Sequence, residues 1–200
     1  MPDSEFFARF GIFSRRFLDD ATCTELKTEM RAASGSPATV APAEEEVDEG
    51  YRRTKMADVS DRTREMIRTR LLSLIPELSR HFEVPLSEVQ PPQFLVYRRG
   101  DFFRRHIDSA EGDSAGEAVR ARRVSIVVFL NRQGEEADED SYGGGALTFY
   151  GLLGDEPPAR DVGLPLTGAT GLLVAFRSEA IHSVTPVTHG ERYTIVSWFS

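Results

Sequence analysis

Two histidines and one aspartate have the residue types and the spacing of a metal site. His106 and Asp108 are separated only by Ile107. Residues two apart in a strand project to the same side, so an imidazole and a carboxylate would extend together. With His182 from a distant strand, they would form a face of two histidines and one carboxylate that leaves three positions of an octahedral ion open. These ligands suit Fe(II), and they also admit zinc or manganese.

Each histidine, taken singly, has a simpler interpretation. A bare His-x-Asp triplet is a weak motif, and His106 could merely pair with a nearby acid. His182 could be a hydrogen-bonded histidine where a strand begins. The combination of the three residues is what favours a metal site. The other two histidines, His81 and His189, are expected at the surface, one near the end of a helical segment and one in a turn, and neither receives a role.

Composition limits the class of protein. A chain of 200 residues with 40% hydrophobic residues predicts one domain spanning residues 1–200. The excess of 32 acidic over 24 basic side chains gives a net charge of -8, which argues against nucleic acid as a partner. Cys23 is the single cysteine. A disulfide framework and a cysteine-rich zinc site are therefore excluded, and a metal would be held by histidines and carboxylates.

Hydropathy indicates no membrane partner. The longest apolar stretches are far shorter than the roughly 20 residues that cross a bilayer. Residues 1–9 mix acidic, basic and aromatic side chains and lack a basic segment followed by an apolar run. We therefore expect a cytoplasmic protein. The sequence leaves its oligomeric state open.

Residues 1–90 are predicted to be mostly helical. Asp19 or Asp20 would cap an amphipathic helix whose core face includes Cys23. A second helical pattern begins at Ser60 or Asp61 and must bend or divide at Pro76. The intervening residues 33–50 predict a loop.

Residues 91–200 have a sequence pattern typical of antiparallel β structure, with short runs of Val, Ile, Phe and Tyr between glycine-containing turns. Seven or more short strands predict a sandwich, a barrel or a jelly roll. The expected strands are 93–97, 102–108, 123–130, 146–150, 171–176, 181–186 and 192–199. The polar stretches 109–121 and 133–145 are expected to be loops at the rim.

The run from Phe94 to Asp108, with Tyr97, Gly100 and His106 inside it, resembles the tyrosine, glycine and His-x-Asp region of prolyl-4-hydroxylase-like 2-oxoglutarate and iron(II)-dependent oxygenases. Later motifs follow in the same order, with Phe-Leu-Asn ending at 131, a Gly-Gly-Ala-Leu-Thr-Phe run at 144–149, and the segment 176–198 that contains His182. The resemblance covers about residues 90–200. It implies a mainly β fold, a double-stranded β-helix of the cupin-like jelly-roll kind, with N-terminal helices packed on the major sheet.

The resemblance also implies roles for three further residues. Arg192 follows His182 by ten residues, where this family places the basic residue that binds the distal carboxylate of 2-oxoglutarate. A guanidinium can hold a carboxylate through two parallel hydrogen bonds. Thr194, on the same strand face, could add a hydroxyl, and Tyr97 could donate from the opposite wall. Tyr97 could equally be a barrel aromatic with a satisfied hydroxyl. Phe129 stands where some relatives carry a tyrosine, so one donor to the cosubstrate is missing.

As the resemblance implies, the activity would be that of a dioxygenase that uses Fe(II), 2-oxoglutarate and O2, hydroxylates a C–H bond and releases succinate and CO2. The substrate stays open between a prolyl group in a peptide, a free amino acid and another small molecule. The acidic residues of 135–140 could attract a cationic substrate or simply be solvated. Two alternatives remain: a non-catalytic jelly-roll module that binds or senses a metal, and a cupin-like enzyme that does not use 2-oxoglutarate.

Overall fold

A computed structural model of the chain describes residues 2–37, 50–109, 116–136, 138 and 140–200. Residues 38–49 of the predicted loop 33–50 lie outside the described residues. So do residues 110–115, 137 and 139 of the two predicted rim loops.

The predicted helices form where their capping residues stand. Asp19 accepts a hydrogen bond from the Thr22 N–H at 2.7 Å, and Ser60 accepts one from the Thr63 N–H at 3.4 Å. Pro76 divides the second helical pattern, as predicted. The helices are α1 (Pro2–Ala8), α2 (Asp20–Ala32), α3 (Asp61–Leu72), α4 (Ile75–Phe82) and α5 (Glu117–Ala121), with a 3-10 turn at Ala159–Asp161. None of the helices described is long and apolar enough to cross a bilayer.

Fifteen strands are described: β1 (Phe13–Arg16), β2 (Gly35–Pro37), β3 (Arg52–Arg53), β4 (Lys55–Ala57), β5 (Gln93–Tyr97), β6 (Phe102–His106), β7 (Val124–Phe129), β8 (Arg132–Gln133), β9 (Ser141–Gly144), β10 (Leu147–Phe149), β11 (Leu164–Leu166), β12 (Leu172–Arg177), β13 (His182–Val184), β14 (Val187–His189) and β15 (Arg192–Phe199). The major sheet has the order β1-β12-β7-β15-β5-β4-β2, and the minor sheet has the order β11-β10-β13-β6-β3. A third sheet has the order β14-β9-β8. The pairings are antiparallel except for β8 with β9.

The major sheet is buried on both faces, because alternate residues of its central strands enter two different cores. On β12, Leu173 and Ala175 face the helices, whereas Val174 and Phe176 face the interior between the sheets. The helices α2, α3 and α4 supply the apolar side chains that cover the outer face. This arrangement is the predicted jelly roll with N-terminal helices on its major sheet, and it turns the inner face of β5 and β15 toward the minor sheet.

The expected strands 93–97 and 192–199 are found with the predicted bounds. The predictions of loops at 109–121 and 133–145 are wrong in part, because α5 lies in the first stretch, and the second contains β9 and the last residue of β8. β9 has no alternating hydrophobic pattern and forms by pairing with β14 and β8. Its last residue, Gly144, has φ of +62°, and a Cβ there would lie 2.2 Å from the Pro186 carbonyl oxygen. The first 90 residues also contribute β1 to β4, which extend the edges of both main sheets.

Cys23 is fully buried on α2, as the core-facing interpretation predicted. Burial raises the pKa of its thiol to about 11. We expect native protein at about pH 8 to react slowly with a thiol reagent and unfolded protein to react fast, because little thiolate is present or accessible in the folded state. Labelling rates with and without urea, read by mass spectrometry, test this. Native labelling as fast as in urea would contradict it.

Candidate metal centre

The two histidines of the predicted site are neighbours across a pair of strands. β6 and β13 are antiparallel, and the Cα of His106 is paired directly with that of His182. Their rings lie 4.1 Å apart between centroids. The register of the minor sheet therefore brings together two residues that are distant in sequence.

Asp108 reaches the same point by a different route from the one predicted. β6 ends at His106, so Asp108 lies in a bend and not in a strand. Its N–H donates to the Ser178 carbonyl oxygen at 2.8 Å, and its own carbonyl oxygen accepts from the Arg122 guanidinium at 3.2 Å. These bonds turn the carboxylate toward the histidines, while Ile107, between His106 and Asp108, is exposed. The side chains do converge, but a held bend, and not the strand pleat, produces this.

The three side chains present ligand atoms to one shared space. One carboxylate oxygen of Asp108 lies 3.6 Å from Nε2 of His106, and the other lies 3.6 Å from Nε2 of His182. All three ligand atoms fall within 4.8 Å of one another. In both histidines, Nδ1 is bonded to a backbone carbonyl, that of Arg104 at 2.7 Å and that of Ala180 at 2.9 Å. Since a carbonyl only accepts, Nδ1 carries the hydrogen, and the lone pair of Nε2 faces Asp108.

The charge states suit a metal site. Burial would by itself raise the pKa of Asp108, but His182 and His106 and a hydrogen bond from Ser125 bring it well below its usual range. Burial and the neighbouring His106 lower the pKa of His182 to about 4, and Asp108 offsets only part of that shift. Near neutral pH, the cluster thus offers an ionised carboxylate and an unprotonated His182, which are the forms that bind metals.

The other two histidines lie apart from this cluster. His81 is exposed and contacts the rings of Phe13 and Phe82. For His189, the predicted surface turn is wrong: it belongs to β14, it is only partly exposed, and its Nε2 is buried without a hydrogen-bond partner among the described residues. Its ring packs against Gly143, where a Cβ would come within 2.1 Å.

Arg192 is buried in the same cavity as the cluster. Only 2% of it is exposed, and one guanidinium nitrogen donates to the Thr194 hydroxyl at 3.1 Å, so the two do share a strand face. Its guanidinium carbon lies 5.0 Å from the ring of Tyr97 and 5.2 Å from the ring of Phe129. Within the described residues, no carboxylate forms an ion pair with Arg192, and its Nε has no hydrogen-bond partner. A buried cation in this state favours the binding of an anion.

The sequence suggested that Tyr97 lies on the wall opposite Arg192, but the structure places it beside Arg192. It is paired directly with Arg192 on the adjacent strand β5 and presents its ring to the guanidinium. Cation–π contact of this kind stabilises a buried guanidinium by about 0.5–2 kcal/mol.

Sequence reasoning missed Tyr142. Its ring lies 6.0 Å from the Arg192 guanidinium carbon, and its hydroxyl is buried without a hydrogen-bond partner in the described structure. Burial raises the pKa of Tyr142, and Arg192 offsets part of that shift. Gly168 leaves room for the hydroxyl, since a Cβ there would lie only 2.3 Å from it. The single sequence signal was one aromatic residue within the polar, glycine-rich run 133–145.

One cavity joins these groups. Its lining includes the three side chains of the cluster, Arg192 and Tyr97. The remaining walls are apolar, aromatic or basic apart from the amide of Gln93: Tyr51, Arg52, Gln93, Leu95, Phe103, Ile107, Val119, Arg122, Ile126, Val127, Leu147, Val184, Val196 and Trp198. The ring of Phe103 stacks on that of His106, with 3.5 Å between centroids.

Comparison with known proteins finds a family model and curated relatives that each match a little over half of the chain. The family model of the 2OG-Fe(II) oxygenase superfamily matches residues 92–200. A PKHD-type hydroxylase of Pseudomonas putida is 36% identical over 112 residues, which are 56% of this chain and 43% of that protein. One from Rhizorhabdus wittichii is 35% identical over 116 residues, which are 58% of this chain and 44% of that protein. The chain thus spans less than half the length of these curated relatives.

Two solved structures share the fold over nearly the whole chain. A Pseudomonas putida prolyl-4-hydroxylase aligns with a TM-score of 0.65 and 23% identity, covering 99% of this chain and 96% of that chain. A prolyl hydroxylase from Trichoplax adhaerens, in complex with a hypoxia inducible factor oxygen degradation domain peptide fragment, aligns with a TM-score of 0.69 and 21% identity, covering 98% and 86%. At these identities, the likeness shows the fold.

We expect His106→Ala, Asp108→Ala and His182→Ala each to weaken Mn(II) binding by a factor on the order of 100 or more, because each removes one of three ligands. Titration calorimetry measures the affinity, and circular dichroism checks that the fold is retained. His81→Ala is the matched control and should bind Mn(II) like the unaltered protein. Unchanged binding by both His106→Ala and Asp108→Ala would mean that the metal binds elsewhere.

Proposed function

The chain belongs to the 2OG-Fe(II) oxygenase superfamily, and on that basis we propose that it is an iron(II)- and 2-oxoglutarate-dependent dioxygenase that hydroxylates a C–H bond of its substrate and releases succinate and CO2. The observation that carries the proposal is the shared cavity. A face of two histidines and one carboxylate and a buried guanidinium without an acidic partner among the described residues line the same space.

The residues present fit Fe(II). His106, Asp108 and His182 would hold the ion from one side and leave the remaining positions open. Bound iron would supply the activation of O2 that no side chain of this cavity can provide. The chain's own part is to fix these three ligands. The backbone carbonyls of Arg104 and Ala180 hold the imidazole rings in the tautomer that binds.

The residues present also fit 2-oxoglutarate. Arg192 would bind the distal carboxylate in a dry environment, where a charged hydrogen bond is worth more than in water. The Thr194 hydroxyl already accepts from the guanidinium and would be free to donate to the same carboxylate. Tyr97 would orient the guanidinium through its ring. An oxo acid without a second carboxylate would leave the buried charge unpaired, which favours a diacid.

The substrate we propose is a peptide or a small molecule that places an apolar C–H group, such as that of a prolyl ring, over the metal. Tyr51, Phe103 and Trp198 supply aromatic walls for such a group. They also keep water from the reacting carbon. The solved Trichoplax adhaerens relative was bound to a peptide fragment, which makes a peptide a candidate here.

The acidic stretch 135–140 contributes less charge than its composition suggested. Asp138 forms an ion pair with Arg132, and Asp140 forms one with the buried Lys27 of α2. Glu135 and Glu136 are exposed, and residue 139 lies outside the described residues. Pairing of two of the carboxylates weakens the field that would attract a cationic substrate.

The decisive experiment measures succinate formation from 2-oxoglutarate with Fe(II) and O2, with and without prolyl peptides, free amino acids and small molecules. We expect turnover that a true substrate raises. Binding of Fe(II) with no binding of 2-oxoglutarate would overturn the proposal in favour of a metal-binding module or of a cupin-like enzyme with another cosubstrate.

Arg192→Ala and the bulkier Arg192→Met should each weaken 2-oxoglutarate binding at least about tenfold, because a charge-assisted contact of about 1.5–3 kcal/mol is lost. Calorimetry with the Mn(II)-loaded protein measures the affinity. Arg98→Ala is the matched control, since Arg98 is exposed and paired with Glu191. If both Arg192 variants bind 2-oxoglutarate as tightly as the control, the carboxylate site is misassigned.

A further inference from the structure

The hydroxyl of Tyr142 is buried without serving the packing of the core. The side chain is fully buried, and its hydroxyl has no hydrogen-bond partner among the described residues. A phenylalanine would fill the same space without the cost of an unpaired polar group. The Nε–H of Arg192 is a second buried donor in the same condition. Both groups therefore lack an acceptor, which a bound ligand could supply.

The two unpaired side chains lie next to each other. The centre of the Tyr142 ring is 6.0 Å from the guanidinium carbon of Arg192. At Gly145, a Cβ would lie 3.1 Å from Cδ of Arg192 and 3.3 Å from Cδ2 of Tyr142, so both side chains border the same bare stretch of backbone. Arg192 lines the cavity that contains the metal centre. A ligand that binds Arg192 from that cavity thus binds the guanidinium that Tyr142 borders.

The Tyr142 hydroxyl also lies beside the ring of Phe129. A Cβ at Gly168 would be 2.3 Å from the hydroxyl oxygen and 2.6 Å from Cδ1 of Phe129, so both atoms border one point. The ring of Phe129 is itself 5.2 Å from the guanidinium carbon of Arg192. Position 129 is where some relatives carry a tyrosine. The hydroxyl that residue 129 lacks is therefore present on the side chain beside it.

The hydroxyl is in the form that binds an anion. Burial raises the pKa of Tyr142, and Arg192 offsets part of that shift, so the hydroxyl keeps its hydrogen near neutral pH. A neutral hydroxyl can donate to a carboxylate. One nitrogen of Arg192 already donates to Thr194, which leaves its Nε–H to be paired. A carboxylate bound here would accept from the Nε–H and from the hydroxyl together.

We propose that Tyr142 is a binding residue for the distal carboxylate of 2-oxoglutarate, and that its hydroxyl donates to that carboxylate in place of a tyrosine at position 129. This inference rests on the proposed function. It gives the third sheet a part in cosubstrate binding, because Tyr142 belongs to β9. None of the three residues of the metal centre lies in that sheet.

Tyr142→Phe removes only the hydroxyl. We expect it to weaken 2-oxoglutarate binding to the Mn(II)-loaded protein about tenfold or more, because a hydrogen bond to a charged group is lost. Calorimetry measures the affinity. Oxalate chelates metal ions but has no distal carboxylate, so its affinity should be the same in the variant and the unaltered protein. The melting temperature without ligands should not fall, because the hydroxyl has no partner in the described structure.

Tyr193→Phe is the matched control. Tyr193 is also a buried tyrosine and follows Arg192 on β15, but it packs in the core between the sheet and the helices. Its hydroxyl donates to Glu191 and accepts from Arg31 at 3.1 Å. This variant should lower the melting temperature and leave the 2-oxoglutarate affinity unchanged. The two variants thus separate the loss of a ligand contact from the loss of an internal hydrogen bond.

The outcomes distinguish this inference from the function on which it rests. If the unaltered protein binds no 2-oxoglutarate, both fail. If Arg192→Met weakens the binding and Tyr142→Phe does not, the role of Tyr142 fails while the proposed function stands. Equal losses for 2-oxoglutarate and oxalate would also contradict the role. If Tyr142→Phe does not fold, Gly168→Ala decides by the same measurement, because its Cβ would displace the hydroxyl.

Discussion

The pairing of β6 with β13 is the constraint on which the rest of the site depends. His182 lies in a central strand and is fixed from both sides, by His106 on β6 and by Phe149 on β10. A shift of either strand by one residue would turn its side chains to the opposite face of the sheet. The position of His106 relative to His182 is therefore fixed by the strand pairing of the minor sheet. The segments around these two strands have to supply only the third side chain of the cluster, Asp108.

The major sheet contributes the other half of the cavity, including the positive charge of Arg192. Arg192 belongs to β15, between β5 and β7, where both sheet faces are buried. Its guanidinium is held by the ring of Tyr97 on one neighbouring strand, by the ring of Phe129 on the other, and by Thr194 on its own. The aromatic residues hold the cation in place without neutralising it. The structure thus keeps a fixed positive charge and the ionised Asp108 in the walls of one cavity, which is the separation of charge that the proposed function requires.

The sequence was sufficient where a local pattern determines the structure. The period of the apolar residues and the caps Asp19 and Ser60 located α2 and α3, and the dense β-branched run located β15. The spacing of His106 and Asp108 singled out two side chains that the structure brings together with His182, although the strand geometry invoked for them holds only as far as His106. The convergence was thus predicted from an approximate local structure, because a bend has no periodicity that a sequence pattern can show.

Other features depend on contacts that no local pattern records. Tyr142 enters the Arg192 environment because β9 pairs with β14 and because Gly168 leaves space, and both partners are distant in sequence. The hydroxyl of Ser125 on β7 contacts that of Ser178 in the turn after the neighbouring strand β12, and isolated serines carry no sequence signature. The strands β1 to β4 are short, and they exist only because a longer strand pairs with each of them or with a strand beside it. Propensity alone does not find such elements.

Those short strands extend both main sheets beyond the region that the family model matches. The family match begins at residue 92, yet β12, β5 and β6 each pair with a strand that precedes it. A fragment cut at that boundary would expose open backbone on three strands and the apolar face that the helices cover, and such edges promote self-association. Transfer of this oxygenase core into another protein would therefore require its N-terminal strands as well. The family model matches about half of the chain, and the sheets that hold the site extend beyond that half.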